Sequence, residues 1–221
     1  MIEHVFRRAA MCNVLDEVFV ATCDEEIRNV VESFGGRVLM TSPEHERASD
    51  RVAEAAEQIK ADIVVMIQGD EPTITPEMIV SALEGMLRDN TVSCVNLVRR
   101  IVSRQEYIDP NTIKVVRNAR MDALYFSRTP LPALGADDFT ETDVFKQVCV
   151  IPFRRDFLTQ FARLAPGPLE RAESIDMLRI LEHGDQVRLV ETEVYTHAVD
   201  TPDDLQSVET LMKDDPLVLR Y

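Results

Sequence analysis

Strand-length apolar runs alternate with helix-length amphipathic segments through the first hundred residues, and this alternation constrains the fold more than any other feature. Residues 17–22, 37–40, 63–67 and 92–98 read as strands. A helix is expected over 2–12, with Val5, Ala9 and Met11 on one face. A second runs over about 25–34, capped by Asp24 and ended by Gly35 and Gly36. A third covers about 49–60. A fourth starts at Thr75-Pro76 along a face of Met78, Ile79, Leu83, Met86 and Leu87. Such steady alternation implies a parallel sheet covered on both faces. The pattern then changes. Residues 112–116 and 123–126 read as paired strands around a turn near Asn118, 144–153 as one strand run, and 135–143 as a polar connection. Helices are expected over 156–164 and 169–183, a strand over 187–194, and a last helix over 202–212 with Thr201 as its N-cap.

The run Ile63-Val64-Val65-Met66-Ile67 ends in Gln68-Gly69-Asp70-Glu71-Pro72. Gly69 allows a tight turn and Pro72 stops the strand. The end of a buried strand is where an open α/β sheet binds its ligands. Asp70 is therefore a candidate ligand for a hard cation such as Mg²⁺, and through it for a nucleotide phosphate. The plainer reading is a strand-ending turn with an incidental acid. A second acidic stretch, Asp200-Thr201-Pro202-Asp203-Asp204, opens the last helix. Acids favoured near a helix N-terminus account for Asp203 and Asp204. Asp200 fits that explanation or a cation site shared with Asp70.

Charge removes other classes. The 221 residues hold 24 Lys and Arg against 39 Asp and Glu, a formal net charge of −15. That opposes nucleic-acid or anionic-membrane binding, which needs a basic face, but not the binding of a nucleotide. No apolar stretch approaches the roughly 20 residues of a membrane span, and residues 1–13 do not read as a secretory signal. Cys12, Cys23, Cys94 and Cys149 are scattered without a CxxC pair, which points to reduced thiols in the cytoplasm and away from structural zinc. The four histidines do not cluster, and there is no GxSxG elbow, Walker loop or HExxH.

In combination these stretches resemble the 3-deoxy-manno-octulosonate (Kdo) cytidylyltransferases. The resemblance is carried by EHVFRRA at 3–9, VFVATCDEEI at 18–27, VESFGGRVLMTSPEH at 31–45 and SDRVAEA at 49–55. It continues through VVMIQGDEPTITPEMI at 64–79, DPNTIKVV at 109–116, ALYFSRTPLP at 123–132, PLER at 168–171, ESIDMLRIL at 173–181 and AVDTPDDL at 198–205. The acylneuraminate cytidylyltransferases are similar in plan but match less closely. The resemblance implies a Rossmann-like nucleotide-diphospho-sugar transferase fold. It is read as one α/β domain over 1–221, mostly parallel, with a sugar-site and dimerisation portion within 112–194. It also implies transfer of CMP from CTP to an acidic ulosonic sugar, with release of pyrophosphate, for lipopolysaccharide or another surface polysaccharide. By the same resemblance Asp70 and Asp200 would be the catalytic acids and hold Mg²⁺, Arg51 and Gln68 would lie along the nucleotide, and Arg128 would face the sugar carboxylate. A cytoplasmic homodimer is the implied state.

The sequence also departs from that family. Gln147, in Lys146–Phe153, stands for a sugar-contacting histidine and Cys149 for a glycine; Asp176 and Met177 stand for a Glu-Gln pair. Residues 45–51 lack the glycine of an HxSGTER-like stretch. These changes imply a sugar making fewer or different polar contacts than Kdo itself. The family's opening strand and triphosphate loop, of the type IPARYxSxRxPGKP, would precede Met1. The expectation is a misassigned start, with the 221 residues alone weakly active; a truncated remnant and a strand supplied by another chain are the competing explanations. Two further functions follow from the same residues: a binding or scaffold protein that has lost catalysis, and a cytidylyltransferase for a sialic-acid-like sugar.

Overall fold

Short strands and amphipathic helices alternate as the pattern requires. In the computed structural model, which describes residues 1–135 and 142–221, the elements are α1 (Ile2–Ala10), β1 (Val20–Thr22), α2 (Glu25–Ser33), β2 (Val38–Met40), α3 (Ala48–Glu57), β3 (Ile63–Ile67) and α4 (Pro76–Leu87). There follow β4 (Val95–Arg100), α5 (Arg104–Ile108), β5 (Lys114–Arg117), β6 (Ala123–Ser127), β7 (Phe145–Val148), β8 (Val150–Arg154), α6 (Arg155–Phe161), α7 (Pro168–Glu173), α8 (Met177–Glu182), β9 (Arg188–Glu191) and α9 (Pro202–Lys213). They fall into two compact units. The first comprises 1–61, 66–80 and 195–221, the second 62–65 and 81–194. Most of the polar connection expected over 135–143 lies outside the described residues.

In the first unit β1 and β2 pair in parallel, Val20 with Val38 through Thr22 with Met40. Asp24 caps α2, its carboxylate accepting from the N–H groups of Glu26 and Ile27, and Gly35 takes the left-handed conformation (φ 80°) that follows the helix. Arg8, on the buried face of α1, has no exposed surface. It donates to the Ile74 carbonyl at 3.1 Å, to Asp215 at 2.5 Å and to the Tyr221 hydroxyl at 3.3 Å. One guanidinium thus ties α1 and the C-terminal segment to the loop that follows Asp70.

The second unit holds a five-stranded sheet of order β6-β5-β7-β4-β9, and β3 pairs with β8. The sheets are mixed. β4 and β9 are parallel, whereas β4–β7, β5–β6 and β5–β7 are antiparallel. The antiparallel hairpin strands expected beyond 112 therefore enter the same sheet as β4, which the alternation in the first hundred residues could not show. The run expected as one strand over 144–153 breaks at Cys149 into β7 and β8, which take different partners. The helix expected over 169–183 breaks at Ser174, whose φ of 58° is left-handed, giving α7 and α8. Leu87, expected on the buried face of α4, is exposed, while Met78, Ile79, Leu83 and Met86 are core. At Gly85 a Cβ would sit 2.3 Å from Cγ2 of Val190, so only glycine lets α4 lie this close to β9.

Candidate active site

The acidic turn is assembled in the first unit by backbone contacts. β3 stops at Ile67, and the chain turns with Glu71 N–H donating to the Gln68 carbonyl. Segment 197–200 lies against this turn. Val199 N–H donates to the Asp70 carbonyl at 2.9 Å, and His197 N–H to Thr73 Oγ1 at 3.1 Å. The two acidic stretches, more than a hundred residues apart in the chain, are thereby held side by side.

The carboxylates at this junction differ in kind. Asp70 is partly enclosed, and its Oδ1 is buried without a hydrogen-bond partner among the described residues. Burial raises its pKa, its own backbone N–H pulls it partly back, and the Asp200 charge adds to the rise. Asp200 is exposed. Asp204 is a different kind of group. Its Oδ2 accepts from Thr201 N–H at 2.8 Å, Thr201 Oγ1 at 2.7 Å and Asp200 N–H at 3.2 Å, and its Oδ1 meets His197 Nε2 at 2.9 Å. With Thr201 it forms a capping box at the start of α9. Burial pulls the Asp204 pKa upward, but Thr201 and His197 hold it below the usual carboxylate range. Asp204 is saturated by protein donors, whereas Asp70 keeps an oxygen with none. A desolvated carboxylate oxygen beside a second, exposed carboxylate is a donor set that fits a hard divalent cation completed by phosphate and water. Among the described residues no group of three or more His, Cys, Asp or Glu could hold a metal by itself.

Gln68 directly follows β3 and is half-buried. Arg51, also in the first unit, spends its donors on the loop before α3: Nη1 reaches Thr41 Oγ1 at 2.7 Å and the Ser42 carbonyl at 3.1 Å, and Nη2 the His45 carbonyl at 3.2 Å. In this structure it organises that loop. Glu54 grips the same loop through Ser42 N–H and His45.

The remaining candidates lie in the second unit. Arg128 follows β6. Its Nε donates to the Glu173 carbonyl at 2.9 Å and its Nη1 to the Pro110 carbonyl at 3.2 Å. It forms no salt bridge among the described residues. Gln147 donates from Nε2 to Asn96 Oδ1 at 2.6 Å, and Asn96 in turn donates to the Leu97 and Val148 carbonyls. Asp176 is the N-cap residue of α8 and raises the pKa of the buried Cys94 thiol, after burial itself. Met177 has no exposed surface and packs as a core residue of α8. The sugar-contacting position expected for Met177 is instead a core one, as its apolar side chain would favour. Sequence reasoning missed Thr73, His197, Lys114 and Glu173. The first two were visible only as polar residues near the acidic stretches, and the last two lay inside motifs without an assigned role.

The chain matches the family model described as cytidylyltransferase over residues 1–193. The chain belongs to the cytidylyltransferase family. It is 45% identical over 217 residues to the 3-deoxy-manno-octulosonate cytidylyltransferase of Geobacter metallireducens, covering 94% of this chain and 85% of that protein. It is 43% identical over 213 residues to the enzyme of the same name from Solibacter usitatus, covering 96% and 84%. Among solved structures it is similar to a CMP:2-keto-3-deoxy-manno-octonic acid synthetase complexed with CTP, with a TM-score of 0.87 and 38% identity, covering 96% of this chain and 87% of the other. A putative glucose-1-phosphate thymidylyltransferase from Bacillus anthracis, at 15% identity and a TM-score of 0.68 over 97% and 82% of the two chains, shares the fold. The Rossmann-like nucleotidyltransferase architecture and the Kdo cytidylyltransferase resemblance read from the motifs are both supported by these relatives.

Proposed function

We propose that this cytidylyltransferase moves CMP from CTP onto an acidic ulosonic sugar of the Kdo type, in the supply of sugar to lipopolysaccharide or another surface polysaccharide. The observation that carries the reading is the buried oxygen of Asp70 with no partner among the described residues, held beside Asp200 by two hydrogen bonds between their segments. The anomeric hydroxyl oxygen forms a bond to the α-phosphorus, the bond to the β-phosphate oxygen breaks, pyrophosphate leaves, and the hydroxyl proton passes to water. Asp70 and Asp200 would hold Mg²⁺. When bound it supplies the positive charge that neutralises the phosphates and the leaving pyrophosphate. The chain supplies position. Gln68 and Arg51 border the nucleotide, Arg51 through the loop it organises, and Arg128 meets the sugar carboxylate with a guanidinium suited to that group. With the Gln147 amide nitrogen engaged by Asn96, that position offers a sugar fewer free donors. That supports an acceptor related to Kdo with fewer or different polar groups.

The relatives give no support to a non-catalytic scaffold or a sialic-acid-like acceptor. Four free, scattered thiols support a cytoplasmic setting, and the family resemblance supports a homodimer. Among the described residues no helix is long and apolar enough to cross a membrane. The test is CMP-sugar and pyrophosphate formation from CTP, Mg²⁺ and a panel of acidic sugars. Product with a Kdo-type sugar is expected. Tight CTP binding with no product from any acidic sugar would refute the reading.

A further inference from the structure

Lys114 lies on β5 with no exposed surface. Its Nζ donates to the carbonyls of Asp109 at 2.8 Å, Thr112 at 2.6 Å and Arg128 at 2.6 Å. An ammonium has three donors, so all are used. The Asp109 and Thr112 carbonyls belong to the loop whose Pro110 carbonyl receives Arg128 Nη1. Lys114 therefore holds both the Arg128 backbone and the loop on which its guanidinium rests. Glu173, at the end of α7, grips the same residue from the other side. Its Oε2 accepts from Arg128 N–H at 2.9 Å, its Oε1 from Ser127 Oγ at 2.8 Å, and its carbonyl from Arg128 Nε. Arg128 is thus fixed at its backbone nitrogen, its backbone oxygen, Nε and Nη1. Its side-chain anchors are neutral carbonyls, which orient the guanidinium without cancelling its charge. An apolar side chain would fill the Lys114 position without the penalty of burying an amine. It could not hold three carbonyls at fixed angles.

We propose that Lys114 and Glu173 are positioning residues for acceptor specificity, clamping Arg128 so that its guanidinium is pre-aimed at the carboxylate of the acidic sugar. This rests on the reading of Arg128 given above. Pre-orienting an anion-binding group removes ordering costs that binding would otherwise carry. The effect belongs to the carboxylate of the acceptor and not to CTP.

The experiment measures KM for the acidic sugar, KM for CTP, and the preference for the sugar over its carboxamide analogue. It uses Lys114→Gln, Lys114→Arg, Glu173→Gln, Arg128→Ala and the Lys114→Gln/Arg128→Ala double variant. Lys114→Gln and Glu173→Gln are expected to raise the sugar KM about tenfold and to reduce the carboxylate preference by a similar factor. KM for CTP should stay within about twofold, and Lys114→Arg should recover part of the preference. In the Arg128→Ala background, Lys114→Gln should add nothing, as required of residues acting through one group. If Arg128→Ala leaves the carboxylate preference intact, the reading of Arg128 falls and the clamp with it. If Arg128→Ala abolishes the preference while Glu173→Gln and a folded Lys114 variant preserve it, the clamp alone is refuted. Should Lys114→Gln fail to fold by circular dichroism, Lys114→Arg and Glu173→Gln decide between the same outcomes.

Discussion

Replacing Asp70 by asparagine should make the metal-free protein more stable while disabling it. The carboxylate has one buried oxygen with no partner among the described residues, and burial and Asp200 together raise its pKa. Asparagine keeps the shape and removes the charge. A buried unsatisfied polar group costs roughly 1–3 kcal/mol, and the amide recovers only part of it, so a gain of about 1 kcal/mol is expected. For a chain of this length that is a rise of roughly 2–4 °C in Tm. The pH dependence carries a sign. A carboxyl raised in the folded state makes the native form bind protons before the unfolded form does, so the metal-free wild type gains stability as pH falls through the Asp70 pKa. Asp70→Asn should lack that gain. Ligand binding separates the two proteins further. At a hundred times Kd, Mg²⁺ with CTP stabilises by about 2.7 kcal/mol, so the wild type should gain several degrees that the variant does not. On the proposed function, in which Asp70 holds the cation at the reacting phosphates, its loss should lower turnover by about a hundredfold or more. Scanning calorimetry with and without Mg²⁺ and CTP reads the first effects and pyrophosphate release the last. A variant that melts below wild type without metal, or that keeps the full Mg²⁺-dependent shift, would refute the assignment.

Burial lowers the Lys114 amine to about 8 from 10.5, opposed by Asp109 and Glu173 and assisted by Arg128. The unfolded chain then binds the extra proton between those values, so stability should rise with pH by about 1–3 kcal/mol across that window, and Lys114→Met should flatten the rise in urea titrations at stepped pH. Gly85→Ala places a Cβ 2.3 Å from Cγ2 of Val190, a stiff β-branched side chain. The overpacking should outweigh the helix-propensity gain and lower stability by about 1–2 kcal/mol, read as a fall in the urea midpoint. Arg8→Met leaves Asp215 and the Ile74 carbonyl without their buried donor. It should cost about 3 kcal/mol and lower Tm by roughly 6–12 °C in a thermal melt.

Much of this was legible in the residues. The run 63–67 became β3 at those bounds, and the Asp24 and Thr201 caps formed because short polar side chains before apolar periodicity have one favourable local use. The breaks at Cys149 and Ser174 were not legible. Neither is a glycine or proline, and each interrupts an apolar pattern that reads as continuous. Strand order was hidden for a related reason: β7 lies between β5 and β4 through pairings set by tertiary packing. At the acidic site the residues were recognisable, but their meeting was implied only by the family resemblance and not by the residues themselves. It depends on Val199 N–H and His197 N–H, backbone groups that carry no sequence signal.

The direction of the pKa shifts separates groups that the protein completes from one that it leaves incomplete. Burial pulls Asp122 upward, yet Arg188 and Asn118 hold it low. Asp204 is held low in the same way by Thr201 and His197. Such acids are finished inside the fold, where ionisation stabilises the native state. Asp70 runs the opposite way: burial takes water from it and the nearby Asp200 charge opposes its ionisation. A fold that only needed to end β3 at Ile67 and turn at Gly69 could do so with an uncharged residue at position 70 and avoid that penalty. Keeping the charge is understandable if its missing partner arrives with the substrate. On the proposed function, the energy stored in the unsatisfied site would be released when a cation and phosphates enter it, so the same feature that costs stability would strengthen the grip on the reacting complex.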